Sequence, residues 1–183
     1  MILLTTSHRP TRRVRSLCND LARSIPGLIR VNRGKMSLLD IAEKTAQLNA
    51  EKFAIIDRWK GGPGRIRFFK ITGEGFEEEP PRLYISGVKL RREFKTSVWK
   101  EDFNLIFIDA FEIMNPDIEK LKLSLSEFFE LPILNLGPET IDYEAYMRIA
   151  AGEDCWAYIS FFLLPRKIEI GPRIKISHVV WNV

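Results

Sequence analysis

The first sixty residues alternate strand-like and helix-like apolar patterns, and this alternation limits the fold more than any other feature of the chain. Ile2-Leu3-Leu4-Thr5-Thr6 is a short apolar run expected as a buried strand, and Pro10 stands where a helix can open. Val14, Leu17, Cys18, Leu21, Ala22 and Ile25 follow at spacings of 3, 1, 3, 1 and 3, one face of a helix. Arg12, Arg13, Arg15 and Arg23 fall off that stripe and face solvent or a ligand, because an unpaired buried Arg is too costly. Pro26-Gly27 ends the helix, and residues 28–32 read as a second strand. Ser37 with Asp40 forms a capping-box start for a helix through about Asn49, and residues 53–59 read as a third strand. Strand, helix, strand, helix, strand implies an α/β layer whose sheet is at least partly parallel.

After "KGGPG" (60–64) the pattern changes. Residues 65–71, 82–88 and 104–110 are strand-like, and nothing helical separates the first two, so hairpins are expected. Asn115-Pro116 opens a further amphipathic helix with Ile118, Leu121, Leu125 and Phe128/Phe129 on one face. The remaining segments, from Glu144 to Trp181, return to strands and turns. "EGFEEEPP" (74–81) is expected as a solvated loop, with Glu77, Glu78 and Glu79 a solvated charge run rather than a converging acid site. Element order suggests two α/β halves, about 1–95 and 96–183, within one domain.

Charge is strongly segregated. Residues 1–35 hold eight Lys and Arg against Asp20 alone, residues 58–100 hold eleven basic and five acidic groups, and residues 101–154 hold three basic and thirteen acidic ones. A polarised molecule of this kind suits docking on a polyanion, its acidic side left in solvent or set against a basic protein. Cys18 and Cys155 are isolated thiols without metal-knuckle or disulfide-framework spacing, which points to a reducing, cytoplasmic setting. "MILLTTSHRP" has no basic segment followed by an apolar one, so export is not expected. The longest apolar run, residues 156–164, is too short for a bilayer and reads as a buried strand, so no membrane is expected.

The obvious catalytic patterns fail. Arg33-Gly34-Lys35 precedes Met36 and follows Ile29, where a phosphate-binding P-loop needs a Ser or Thr and a Gly. Gly62-Pro63-Gly64 reads as a plain strand-to-strand turn, because Pro removes a donor that a phosphate cradle would use. His8 and His178 lack partners at metal-ligand spacing, and Cys18 sits on the apolar stripe. No metal, nucleotide or redox cofactor and no catalytic residue is expected.

The basic groups survive this sieve. A helix opening at Pro10 would aim free N–H groups outward beside the hydroxyls of Thr5, Thr6, Ser7 and Thr11, and Arg9, Arg12 and Arg13 would complete an anion corner. An Arg-rich face that merely solvates the helix accounts for the same residues equally well. Arg30, Arg33 and Lys35 follow the second strand, where ligand loops of α/β sheets gather, and could join the corner; RNA then fits such a patch better than a small anion.

Read together, "LLTTSHRPTRRVRSLCNDL", "VNRGKMSL", "GGPGRIRF" and "KIEIGPRIKI" closely resemble, in order and spacing, the hallmark segments of the Brix-domain family of ribosome biogenesis proteins. The resemblance spans nearly the whole chain and is closest to the short archaeal members. It implies an RNA-binding assembly factor, not an enzyme, acting on ribosomal RNA or its precursor, with ribosomal proteins or other assembly factors as further partners. It also implies two tandem α/β halves, each resembling the anticodon-binding domain of class IIa aminoacyl-tRNA synthetases. Thr5, Thr6, Ser7 and Pro10 match the opening motif, Arg33, Gly34 and Lys35 the second, Gly62, Pro63 and Gly64 the turn, and Glu169, Gly171, Pro172 and Arg173 the last. The departure is His8-Arg9, where the family often shows two basic residues and a histidine is the weaker phosphate contact.

The RNA contacts expected on this basis are Thr5, Ser7, Arg9, Arg12, Arg13, Arg33, Lys35 and Arg173. Pro10, Gly34, Gly62, Pro63, Gly64, Glu169, Gly171 and Pro172 are expected to shape the backbone, with Glu169 holding Arg173 or another basic residue. The competing expectation is a protein-interaction module that binds a basic ribosomal protein through the acidic 101–154 region, in which Glu112, Glu119 and Glu127 would matter.

Overall fold

A computed structural model describes residues 1–96, 102–111 and 115–183. The first part of the chain forms β1 (Ile2–Thr6), α1 (Arg12–Ser24), β2 (Leu28–Arg30), α2 (Leu38–Gln47), β3 (Lys52–Trp59), β4 (Gly62–Thr72) and β5 (Gly75–Lys89). The rest forms β6 (Ile106–Asp109), α3 (Pro116–Phe129), β7 (Ile133–Leu134), β8 (Ala145–Ala151), β9 (Ala157–Leu163), β10 (Ile168–Glu169) and β11 (Arg173–Val180).

All the strands join one mixed sheet in the order β2-β1-β3-β4-β5-β11-β9-β8-β6-β7, with β10 paired to β9. β1 lies parallel to β2 and β3, and β4 and β5 then continue antiparallel. β6 likewise lies parallel to β7 and β8, with β9 and β11 antiparallel beyond them. One strand arrangement therefore occurs twice, and the two copies meet where β5 pairs antiparallel with β11.

Strand alternation sends successive side chains to opposite faces. Leu4, Ala54, Ile56, Ile66 and Phe68 face α1, which buries Val14, Leu17, Cys18 and Leu21 against them. Ile108, Met147, Ile149, Ile159 and Ile174 join the same cluster beside Ile118, Leu121 and Leu125 of α3. On the other face Leu3, Phe53, Ile55 and Phe69 pack under Ile41 and Ala42 of α2. Each fully buried Val, Leu, Ile, Phe or Met side chain among them contributes about 1.5–3 kcal/mol, which is why the two helical stripes outweigh the polar residues that flank them.

Ser37 and Asp40 form the expected capping box: the Ser37 hydroxyl accepts from the Asp40 amide at 3.1 Å, and the Asp40 carboxylate accepts from the Ser37 amide at 2.7 Å. Three local expectations need correction. Pro10 does not open α1; Thr11 caps it, its hydroxyl accepting from the Val14 amide at 3.4 Å, and Pro10 lies outside. Gly62-Pro63-Gly64 is not the turn, since Lys60 and Gly61 alone connect Trp59 to its partner Gly62 and the motif already belongs to β4. Residues 74–81 are not a loop, because β5 begins at Gly75 and pairs along β4. Only the 82–89 part of β5 also meets β11, so 75–81 is a sheet edge. Its charges and Pro80-Pro81 discourage further strand addition, and the same features mimic a loop in sequence.

Candidate nucleic-acid interface

The parallel strands β1, β2 and β3 end at the same edge of the sheet, so the segments that follow them lie side by side. Their backbone is stitched together. The Thr5 hydroxyl is fully buried and donates to the Val31 carbonyl at 2.7 Å. The Ser7 amide donates to the Ile56 carbonyl at 3.0 Å, and its hydroxyl accepts from the Arg58 amide at 3.0 Å. The Arg58 guanidinium donates to the Arg9 carbonyl at 3.1 Å. His8 contacts the Gly34 carbonyl at 3.4 Å and Arg33 at 3.3 Å.

Arg33 is only 7% exposed, and its Nε donates to the Met36 carbonyl at 2.6 Å. Burial holds its pKa below the usual arginine value, and the charge stays because guanidinium titrates far above neutrality. The group is a brace inside the loop cluster. Gly34 beside it takes φ 54°, and Lys35 stands exposed.

The expected contacts therefore divide. Arg9, Arg12 and Lys35 are exposed, and among the described residues their side chains make no hydrogen bond or ion pair. Arg13 is committed elsewhere, forming a two-pronged ion pair with Glu93 and donating to the Val88 carbonyl. Arg173 is held by Glu169, its Nε donating to the carboxylate at 2.6 Å, while Ser160 donates to the same carboxylate. It stands opposite Lys89 at the start of β11, with β4 and β5 between it and β3, so it does not belong to the loop corner. Thr5 and Arg33 are structural parts of the corner, and Ser7 spends its hydroxyl on the Arg58 amide.

Sequence reasoning missed Arg58, Arg65 and Arg67. The alternation in "RIRF" was the available signal: Ile66 and Phe68 enter the core, and Arg65 and Arg67 therefore share the opposite face. There both reach Asp57, at 2.7 and 2.8 Å, so one buried carboxylate orders two guanidiniums beside the loop corner. The result is a basic edge on a rigid mount.

The acidic region presents a different surface. Glu127 and Asp117 are exposed on α3, while Glu119 pairs with the buried Lys122 at 2.9 Å and Glu130 with Lys52 at 3.1 Å. Glu101 and Glu112 lie outside the described residues.

No protein-family model matches the chain. It is 40% identical over 113 residues to a probable Brix domain-containing ribosomal biogenesis protein of Pyrococcus horikoshii, covering 60% of this chain and 50% of that protein. A protein of the same description from Pyrobaculum aerophilum is 31% identical over 135 residues, 73% of this chain and 70% of that one. The match thus spans about half the length of the first relative and more than two thirds of the second. In fold the chain resembles the crystal structure of a probable ribosomal biogenesis protein from Aeropyrum pernix K1, with a TM-score of 0.77 at 21% identity over 96% of this chain and 94% of that one. It also resembles Mil, an archaeal Imp4-like protein, with a TM-score of 0.69 at 22% identity over 98% and 99% of the two chains.

Proposed function

The chain belongs to the Brix-domain family of ribosomal biogenesis proteins, and on that premise we propose that it is a non-catalytic assembly factor that holds ribosomal RNA or its precursor. The observation that carries this reading is the exposure of Arg9 and Lys35, on loops fixed by the Thr5, Ser7 and Arg33 hydrogen bonds, and of Arg12 at the start of α1, all three without partners among the described residues. Cations kept unpaired on an ordered mount lose little freedom when they meet phosphate, and they read backbone shape rather than sequence. On this reading the protein works in the cytoplasm and needs no cofactor.

The test is fluorescence anisotropy of a structured ribosomal RNA fragment across a salt series, for the wild type and for an Arg12→Glu/Lys35→Glu variant. Each lost phosphate contact is expected to flatten the slope of log affinity on log salt by about 0.7–0.9 units. Equal affinities and slopes for the two proteins would remove the loop corner from the interface. Absence of RNA binding in both, with capture of a basic ribosomal protein lost on Glu127→Lys, would favour the acidic-surface reading instead.

A further inference from the structure

Beside the basic corner, where the β3–β4 hairpin overhangs the junction of β5 and β11, lies a concavity of ≈ 410 Å³. Trp59, Tyr84, His178, Arg58 and Arg65 line it. Tyr84 and His178 are register partners across the two strands and stack, with ring centroids 4.4 Å apart and planes 10° from parallel. The Arg65 guanidinium lies 6.0 Å from the centre of the Tyr84 ring, and Arg65 and Arg82 together lower the pKa of the Tyr84 hydroxyl. Trp59 stands 69% exposed at the rim.

A single exposed indole needs no explanation, but Trp59 shares one concavity with the stacked Tyr84–His178 pair, so three rings line the same cleft. The backbone is shaped to keep Trp59 there. A Cβ on Gly64 would lie 2.2 Å from the Trp59 Cβ and 3.2 Å from its Cγ, so the side chain crosses a stretch of β4 that only glycine leaves bare. Arg58, next in the chain, is bonded to the Arg9 carbonyl at 3.1 Å, which makes the cleft continuous with the loop corner.

We infer that this cleft receives an unpaired base of the bound RNA, stacked on Trp59 or on the Tyr84–His178 pair, with the adjoining phosphates toward Arg58 and the loop corner. The inference rests on the RNA reading above and adds what that RNA must offer: a single-stranded loop, bulge or end. Aromatic faces beside guanidiniums suit an extruded nucleotide, since every base has a π-face and every linkage a negative charge. A duplex keeps its bases stacked on one another and presents nothing to the cleft. An extended apolar or proline-rich peptide would use the rings but gain nothing from the neighbouring cations.

The experiment compares two labelled RNAs of equal length, a stem-loop and a fully paired duplex, with the wild type, Trp59→Ala and Trp59→Phe. The expected result is about tenfold weaker stem-loop binding by Trp59→Ala, recovery in Trp59→Phe, and unchanged duplex affinity and salt slope. The stem-loop should also quench a tryptophan emission component that Trp59→Ala lacks. Since Trp59 is largely exposed, the variant is expected to keep the wild-type urea midpoint. Equal stem-loop affinity for wild type and Trp59→Ala, or equal losses on both RNAs, would overturn the base subsite and leave the phosphate-binding reading standing. Wild-type failure to bind either RNA would overturn both. Binding of a proline-rich peptide at Trp59 without a stem-loop effect would assign the cleft to protein.

Discussion

Arg13 of α1 sets its two terminal nitrogens on the carboxylate of Glu93, 80 residues further along the chain, at 2.6 and 2.9 Å. Glu93 also accepts from the Leu90 amide at 2.8 Å, so one carboxylate joins the start of α1 to the segment leaving β5. The hydrogen bonds from Arg13 are the main reason that the pKa of Glu93 falls to about 2. A carboxyl group lowered on folding adds stability that is fully present above its unfolded value, about 4.3, and is lost as pH falls through about 2. The pair is part-exposed, at 39% and 35%, so solvent screening limits it to about 1 kcal/mol or less. Urea midpoints measured from pH 6 to pH 2 should therefore converge for wild type and Glu93→Gln at the acid end and differ at the upper end. A gap that persists unchanged to pH 2 would assign the effect to packing.

Arg33 and Lys35 are two residues apart and should behave oppositely. Arg33→Ala removes a buried brace and leaves the Met36 carbonyl without its 2.6 Å donor, an expected loss of about 1–3 kcal/mol. Lys35→Ala changes an exposed side chain and should stay within about 0.5 kcal/mol of wild type. Urea unfolding of the two variants decides this. It also determines which charge reversals can be used in binding work, because an Arg33 variant would confuse lost folding with lost contact.

The contrast between these two residues shows where sequence reading stopped. The apolar stripe of α1, the capping box of Ser37 and Asp40 and the strand-helix alternation were legible because each is a local, periodic pattern. The burial of Arg33 and Thr5 is not legible in sequence because it depends on two loops meeting, a juxtaposition separated by 26 residues for Thr5 and Val31. The strand at 75–81 was hidden because edge protection and loop composition use the same residues. The place of β11 between β5 and β9 was beyond reach for a related reason, since its register with Arg82–Lys89 is set by partners nearly a hundred residues away. The exposure of Trp59 is likewise not legible in sequence, because it is set by tertiary packing.

Gly171 tests the last motif. Its φ is +70°, and a Cβ there would lie 2.3 Å from the ring of Phe94, which is itself buried. Alanine must strain the backbone and displace a packed aromatic ring, at an expected cost of about 2 kcal/mol or more. The neighbouring Glu169–Arg173 pair should loosen with it, because both residues sit at the ends of the bend that Gly171 and Pro172 make between β10 and β11. Guanidinium or urea midpoints of Gly171→Ala would measure this, and a wild-type midpoint would show that the bend tolerates a side chain.

Cys18 and Cys155 should separate chemically. Cys18 is fully buried on the apolar face of α1, and burial pushes its thiol up to about 12, outweighing the nearby Arg30. The thiolate that reacts with disulfide reagents is then almost absent at pH 8, and the sulfur is also out of reach. Cys155 is part-exposed between β8 and β9, where its thiol donates to the Ala157 carbonyl at 3.2 Å. An Ellman titration of native protein at pH 8 should therefore count one thiol promptly and the second only after denaturation. Prompt reaction of both would mean that α1 opens readily from the sheet, and that the loop corner it holds through the Arg15 hydrogen bond to the Pro10 carbonyl is not the rigid mount on which the RNA reading depends.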